Sequence, residues 1–207
     1  MNDQLERLNR LPLRTNLRGL TPYGAPQLNV PILLNVNENT HGVPADVQAA
    51  ISVAVTEAAA GLNRYPDREF TELRGALAEY LGHGLDAANI WAANGSNEVL
   101  QQILQAFGGP GRTALGFPPT YSMYPLLASG TDTGYIIGQR ADDYGLSAES
   151  AALQVKELQP NIVFLCPPNN PTGTGLGPDV VGAGSAAAGA STNNGSGDEG
   201  HPRPREG

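Results

Sequence analysis

The sequence Asn-Gly-Ser-Asn-Glu at residues 94–98 has the composition of a turn that leads into a helix. Gly95 permits a tight turn, and Ser96 suits a helix start because its hydroxyl can accept a hydrogen bond from a backbone N–H group. The first amides of a helix have no partner inside the helix, so they attract anions, and a phosphate monoester is the obvious guest. The segment therefore indicates a phosphate site, with an ordinary capped turn as the alternative.

Two further segments carry groups that could hold a flat ring. Residues 117–121, Phe-Pro-Pro-Thr-Tyr, follow a predicted strand and end on Tyr121, whose ring could stack on a ligand. Residues 166–173, Cys-Pro-Pro-Asn-Asn-Pro-Thr-Gly, follow another strand, and their prolines restrict the backbone around Asn170. The amide of Asn170 could then donate to a phenolate-type oxygen in a fixed direction. A core tyrosine and a generic proline-rich loop are the alternatives.

The elements that must position these segments follow from the apolar pattern. Short apolar runs predict strands at residues 90–93, 113–117, 134–137 and 162–166. Helical spacing predicts helices at residues 44–60, 69–81, 96–107, 120–128 and 147–158. Strands that alternate with helices across short connections are typical of βαβ units, so we expect an α/β fold with a mainly parallel sheet. Ligands of such sheets collect at the carboxyl ends of the strands.

Composition divides the chain into three parts. Residues 1–43 are rich in proline and are predicted to form an N-terminal arm, and residues 44–180 hold the α/β pattern. Residues 182–207 contain no Val, Ile, Leu, Met, Phe, Tyr or Trp. Such a segment buries too little apolar surface to offset its ordering entropy, so residues 181–207 are predicted to be a disordered, low-complexity tail.

Charge and composition exclude several classes of protein. A net charge of −8 argues against nucleic-acid binding, which usually needs a basic face. No apolar run is long enough to cross a membrane, and the first ten residues lack the apolar core of a signal peptide. The single cysteine, Cys166, excludes an internal disulfide and fits a cytoplasmic location. The three histidines are too scattered for a metal site, so we expect none.

Six short motifs, at residues 20–23, 34–39, 63–66, 94–98, 118–124 and 168–173, occur in this order along the chain. Together they resemble the fold-type I pyridoxal-phosphate aminotransferases and, within them, the histidinol-phosphate aminotransferases. The resemblance implies the large domain of that fold, here incomplete, with pyridoxal 5′-phosphate as cofactor. It implies transfer of an amino group between histidinol phosphate and 2-oxoglutarate or glutamate, in histidine biosynthesis. Aromatic aminotransferases and phosphothreonine decarboxylases share several motifs and stay open, as does a non-catalytic fragment that binds a phosphorylated ligand or a partner subunit.

The resemblance also implies roles for individual residues. The cofactor would be bound by residues of three loops and of a partner subunit in a homodimer, namely Gly95, Ser96 and Asn97 for its phosphate, Tyr121 for its ring, Asn170 for its 3′ oxygen and the neighbour's Tyr65 for its phosphate. The small-molecule amino or keto substrate would be bound by Tyr23 and Asn37.

The second half of the sequence departs from the family. Members carry, after the Asn-Pro-Thr-Gly motif, an aspartate for the pyridine nitrogen, a Schiff-base lysine and arginines for anions. The only lysine here, Lys156, precedes that motif in a polar helical stretch and is predicted to face solvent. Asp198 and Glu199 follow no apolar strand and are interpreted as a chance likeness. We therefore expect a truncated aminotransferase without a catalytic residue of its own, inactive alone, in which the strand predicted at residues 90–93 has no native neighbour.

Overall fold

The computed structural model describes residues 10–19, 24, 27–33 and 36–192. The chain divides into two units, Gly19–Ala92 and a second unit that combines Met1–Arg18 with Ala93–Gly207. Both helices predicted in the first unit are confirmed. They are α1 (Ala45–Ala59) and α2 (Thr71–Leu81), followed by a 3₁₀ turn at Ala87–Asn89.

Helix α2 begins two residues later than the pattern predicts because Asp67 fixes its start. The Asp67 carboxylate accepts hydrogen bonds from the backbone amides of Thr71 at 2.7 Å and Glu69 at 2.9 Å. These bonds, the one from Thr71 first, lower the pKa of Asp67 below its ordinary value of 3.8. Arg74 donates through Nε to the carbonyl of Ala87 at 2.8 Å, which joins α2 to the 3₁₀ turn.

The second unit contains a parallel sheet, as predicted. Its elements are helix α3 (Ser96–Phe107), strand β1 (Thr113–Gly116), helix α4 (Met123–Gly130), strand β2 (Gly134–Ile137), helix α5 (Ala148–Leu158), strand β3 (Ile162–Val163) and helix α6 (Pro178–Thr192). The strand order is β2-β1-β3, with Thr113 opposite Gly134 and Ala114 opposite Ile162. Strand β1 is therefore central and bonded on both edges.

Helices cover both faces of this sheet. Successive residues of β1 point to opposite sides, and because these residues are apolar, each face must be buried. Ala114 packs with Leu104 of α3 and Ala128 of α4, together with Tyr124 and Phe164. Leu115 packs on the other face with Phe117, Leu146, Ala151 and Val155 of α5, and Val180 of α6. Burial on both faces is typical of parallel sheets and explains the continuous apolar runs of the sequence.

Residues 90–93 are not a strand, contrary to the sequence prediction. They form no regular secondary structure, and none of the strands in the described residues pairs with them. A strand exists only where a neighbour completes its backbone hydrogen bonds, so apolar character alone does not produce one. Strand β3 is also shorter than predicted, although the amide of Phe164 still donates to the carbonyl of Leu115 at 2.8 Å.

The tail prediction is wrong for residues 181–192, which continue helix α6 from Pro178. Proline is favoured at the first helical position, and the alanines that follow have the highest helix propensity. Ala187 and Ala188 are small enough to pack against the cluster around Leu115 and Phe117. The rest of the predicted tail, residues 193–207, lies outside the described residues. No helix in the described ranges has the length and apolar character that a membrane span requires.

Candidate functional site

The start of helix α3 presents unpaired backbone donors, as its sequence predicts. Ser96 is not the capping residue, however, because Gly95 holds the cap position and no side-chain hydrogen bond caps the helix start. Gly95 has a φ of +77°, a conformation that glycine adopts without strain. The amides of the first turn, at residues 96–98, have no acceptor within the part of the chain that the structure describes. One oxygen of the Glu98 carboxylate accepts from the amide of Asn94 at 2.7 Å. The exposed Ser96 and the free amides can therefore receive an anion.

Tyr121 lies beside this helix start. Its hydroxyl donates to Oδ1 of Asn97 at 3.1 Å, which joins the loop after β1 to the first turn of α3. The Tyr121 ring meets Tyr124 edge-on, with centroids 5.5 Å apart, and Tyr124 stacks on Phe164 at 4.5 Å. Burial, followed by the nearby thiol of Cys166, raises the pKa of Tyr124, so this phenol stays neutral. Tyr121 therefore contacts a buried aromatic pair formed by Tyr124 and Phe164.

Asn170 and its neighbour Asn169 have different surroundings. Asn170 is partly buried, and its side chain has no hydrogen-bond partner among the described residues, so its amide is available to a ligand. Asn169 is only 2% exposed. Its Nδ2 donates to the carbonyl of Pro119 at 2.8 Å and to Oγ1 of Thr172 at 2.8 Å. Its Oδ1 accepts from Nη2 of Arg140 at 2.9 Å.

Sequence reasoning missed Asn169 and Arg140. Asn169 stands inside the proline-rich motif, but the motif does not indicate which of its two asparagines is buried. Arg140 follows strand β2 in a loop without any recognised pattern, and only the folded sheet brings it to residues 117 and 169. The structure thus unites Asn97, Tyr121 and the loop of Asn170 at the carboxyl ends of β1 and β3, where a ligand of an open α/β sheet is expected.

The other predicted residues are not among those that the structure brings together at these strand ends. Asn37 and Tyr65 belong to the unit Gly19–Ala92, and both are exposed. Tyr65 lies with Leu62, Asn63 and Arg64 on an open surface, and its own side chain is fully exposed. Tyr23 lies outside the described residues. Lys156 is exposed on α5, as predicted, and no group of metal-ligating side chains occurs in the described ranges.

Comparison with known proteins shows the family to which this chain belongs. The family described as "Aminotransferase class I and II" matches residues 29–181, and this chain belongs to that family. The match ends at the residue where the composition of the sequence changes. The resemblance seen in the motifs is thereby confirmed, and the fold is part of the α/β fold of pyridoxal-phosphate-dependent aminotransferases.

Two curated relatives of high sequence identity are both named histidinol-phosphate aminotransferase. The histidinol-phosphate aminotransferase of Paenarthrobacter aurescens (strain TC1) is 84% identical over 181 residues, which cover 87% of this chain and 49% of the relative. That of Thermobifida fusca (strain YX) is 59% identical with the same two coverages. The chain thus spans about half the length of the curated relatives it matches.

Solved structures agree with the fold. A histidinol-phosphate aminotransferase from Sinorhizobium meliloti in complex with pyridoxal-5′-phosphate is 26% identical, with a TM-score of 0.57. The match covers 67% of this chain and 37% of that one. A decarboxylase from Sulfurospirillum multivorans is also 26% identical, with a TM-score of 0.52, and the match covers 68% and 36% of the two chains.

Proposed function

We propose that this chain supplies the phosphate-binding and ring-binding part of a histidinol-phosphate aminotransferase. Such an enzyme moves an amino group between histidinol phosphate and 2-oxoglutarate or glutamate, with pyridoxal 5′-phosphate as cofactor. The observation that carries the proposal is the 3.1 Å hydrogen bond between Tyr121 and Asn97. This bond holds an aromatic ring beside the N-terminus of α3, whose free backbone amides can bind a phosphate. The relatives at 84% and 59% identity support the substrate class.

The residues present fit this cofactor. A phosphate dianion needs several hydrogen-bond donors, and the start of α3 offers free amides and the hydroxyl of Ser96. The charged carboxylate of Glu98 also lies in this turn, but its Oε2 is bonded to the amide of Asn94. A pyridine ring needs an aromatic face, which Tyr121 supplies. An ionised ring oxygen needs a hydrogen-bond donor, and the amide of Asn170 has no other partner among the described residues.

The role of this chain is to bind and orient. When bound, the cofactor supplies the electron sink that stabilises negative charge at the substrate carbon bearing the amino group. The positive end of the α3 dipole holds the phosphate, Tyr121 excludes water from one ring face, and Asn170 orients the ring through its oxygen. Lys156 is exposed on α5, so no lysine of this sequence is placed to hold the cofactor covalently. We therefore expect binding without turnover by the chain alone.

The remaining assignments complete the proposal. The exposed Tyr65 is assigned to the phosphate of a partner subunit's cofactor in a homodimer, and Tyr23 and Asn37 to the substrate. Residues 1–43 are assigned to an arm and residues 44–180 to a partial large domain. A cytoplasmic location accords with a single cysteine in the whole sequence.

Calorimetric titration of the full chain tests the proposal. Pyridoxal phosphate should bind saturably, and pyridoxal, which lacks the phosphate, should bind about tenfold or more weakly because charge-assisted hydrogen bonds are lost. The substitution Gly95→Ala strains the positive φ and should weaken binding of the phosphate form. Gly75→Ala, in helix α2 with open space around the added Cβ, is the matched control. Equal affinities for pyridoxal and its phosphate, or no binding, would contradict the proposal.

A second candidate is a non-catalytic site for a phosphorylated ligand. It is favoured by the combination of free donors at α3 with the absence of a suitably placed lysine. Inorganic phosphate distinguishes the two in the same titration. If it binds as tightly as pyridoxal phosphate, the ring contributes nothing and the second candidate holds.

A further inference from the structure

We propose that Asn169 and Arg140 are positioning residues for the cofactor site, a role that rests on the function proposed above. They join the loops that follow the three strands and so set the distance between Tyr121 and Asn170. Neither side chain needs to contact the cofactor for this role.

Asn169 makes three side-chain hydrogen bonds, which use both amide donors and one of the two lone pairs of Oδ1. Two bonds from Nδ2 reach Pro119, in the loop after β1, and Thr172, in its own loop. The bond at Oδ1 comes from Arg140, in the loop after β2. Its backbone is equally fixed, since its amide donates to the carbonyl of Thr174 at 2.8 Å and its carbonyl accepts from Gly173 at 2.7 Å. A buried amide with both donors and its oxygen engaged by separate partners holds a single orientation.

Arg140 distributes its donors over the same loops. Nε donates to the carbonyl of Phe117 at 2.7 Å, Nη1 to the carbonyl of Tyr144 at 3.0 Å, and Nη2 to Asn169. The planar guanidinium fixes the directions of these bonds, which a flexible ammonium cannot do. Among the described residues no carboxylate lies within ion-pair distance of it. The arrangement therefore serves geometry rather than charge pairing.

Asn169 and Arg140 connect the two loops that carry Tyr121 and Asn170. Pro119 is two residues before Tyr121, and Asn169 is adjacent to Asn170. The 2.8 Å bond from Asn169 to Pro119 consequently limits how far the loop bearing the ring and the loop bearing the amide can separate. A ring held between the two groups loses affinity when their spacing relaxes, whereas a phosphate at α3 does not depend on that spacing.

The test compares affinities for pyridoxal phosphate and inorganic phosphate in the full chain. Asn169→Ala should lower the first about tenfold and leave the second within about twofold. Asn161→Ala is the matched control, because Oδ1 of Asn161 accepts from the amide of Thr113 at 2.9 Å and so joins the same strands at their amino ends. This control should change stability without changing the ratio of the two affinities.

Two conservative variants locate the essential bond and remain usable if Asn169→Ala does not fold. Asn169→Asp keeps the acceptor for Arg140 but loses both donors, so it should show the same loss of ring affinity if the bond to Pro119 matters. Arg140→Lys keeps the charge but cannot reach all three acceptors. Hydrogen exchange without ligand should rise at residues 117–121 and 169–174 in each variant and stay unchanged in helix α5.

The outcomes separate the inference from the function on which it rests. If the unsubstituted chain does not bind pyridoxal phosphate, both are overturned. If it binds and the Asn169 and Arg140 variants keep its affinity ratio, only the positioning role is overturned. If both ligands weaken equally, and Asn161→Ala does the same, the residues serve stability alone and the inference is likewise wrong.

Discussion

The substitution Tyr121→Phe removes one oxygen atom and, with it, the hydrogen bond to Asn97. It leaves the ring, its edge-on contact with Tyr124 and its place beside α3. The substitution Tyr121→Ala removes both the bond and the ring. Comparing the two separates the part of cofactor affinity that comes from holding the loop against α3 from the part that comes from the aromatic face.

The expected magnitudes follow from the geometry. The bond to Asn97 is 3.1 Å long and partly buried, so its net value is about 1 kcal/mol, or roughly a fivefold loss of affinity in Tyr121→Phe. Loss of the aromatic face adds about 1 kcal/mol, so Tyr121→Ala should lose about 2 kcal/mol, or roughly thirtyfold. Asn97→Ala should resemble Tyr121→Phe, because it breaks the same bond from the other side.

Calorimetric titration of the full chain with pyridoxal phosphate measures these affinities. The double variant Tyr121→Phe with Asn97→Ala should lose little more than either single one, which gives a coupling energy of about 1 kcal/mol. Tyr80→Phe, at an exposed position of α2, is the control and should bind as the unsubstituted chain does. Full affinity in Tyr121→Ala would refute the ring contact, and additive losses in the double variant would refute the coupling between the two loops.

Three further outcomes are expected. Lys156→Arg should leave affinity for pyridoxal phosphate unchanged, and borohydride reduction followed by mass spectrometry should find no saturable label at Lys156, which is exposed on α5. Gly182→Ala should raise the free energy of unfolding by about 0.5–1 kcal/mol in urea titrations, since its added Cβ meets nothing within 4 Å, and Ala186→Gly should lower it similarly. Asp67→Ala should reduce the melting temperature near neutral pH. Because folding lowers the pKa of Asp67, its contribution is present above the ordinary value of 3.8 and disappears as the pH falls through the folded value, so the two melting curves should converge in acid. A constant difference across that range would contradict the reasoning.

The apolar pattern of the sequence was sufficient to predict the strands of the sheet that are buried on both faces. Ala114 and Leu115 lie in a short apolar run, and their burial against opposite helix layers is what such a run predicts. The pattern was insufficient at residues 90–93, because a strand depends on a neighbour that local sequence does not specify. It was also insufficient at residues 181–192, where alanine propensity and packing on the sheet outweigh the lack of large apolar side chains.

For the candidate site, sequence alone led to the groups that would face a ligand but not to those that hold them. Asn97 and Tyr121 were both assigned from motifs. Tyr121 follows β1, whereas no strand precedes Asn97 in the described residues, so their contact is visible only in the fold. The bonds of Arg140 connect carbonyls and an amide that lie far apart in the chain. Backbone carbonyls carry no residue-specific signature, so such bonds become visible only in the folded structure.

The long sequence separation of these bonds also determines when they form during folding. The bond from Asn169 to Pro119 spans 50 residues of the chain, and the bond from Arg140 to Asn169 spans 29. The backbone hydrogen bonds of helices α3 to α5, by contrast, join residues only one turn apart. Closing a long loop costs chain entropy before any contact compensates for it, so these bonds are expected after the transition state. Loss of Asn169 should then accelerate unfolding more than it slows folding. The loops around the site would open more often while the helices assembled at their usual rate.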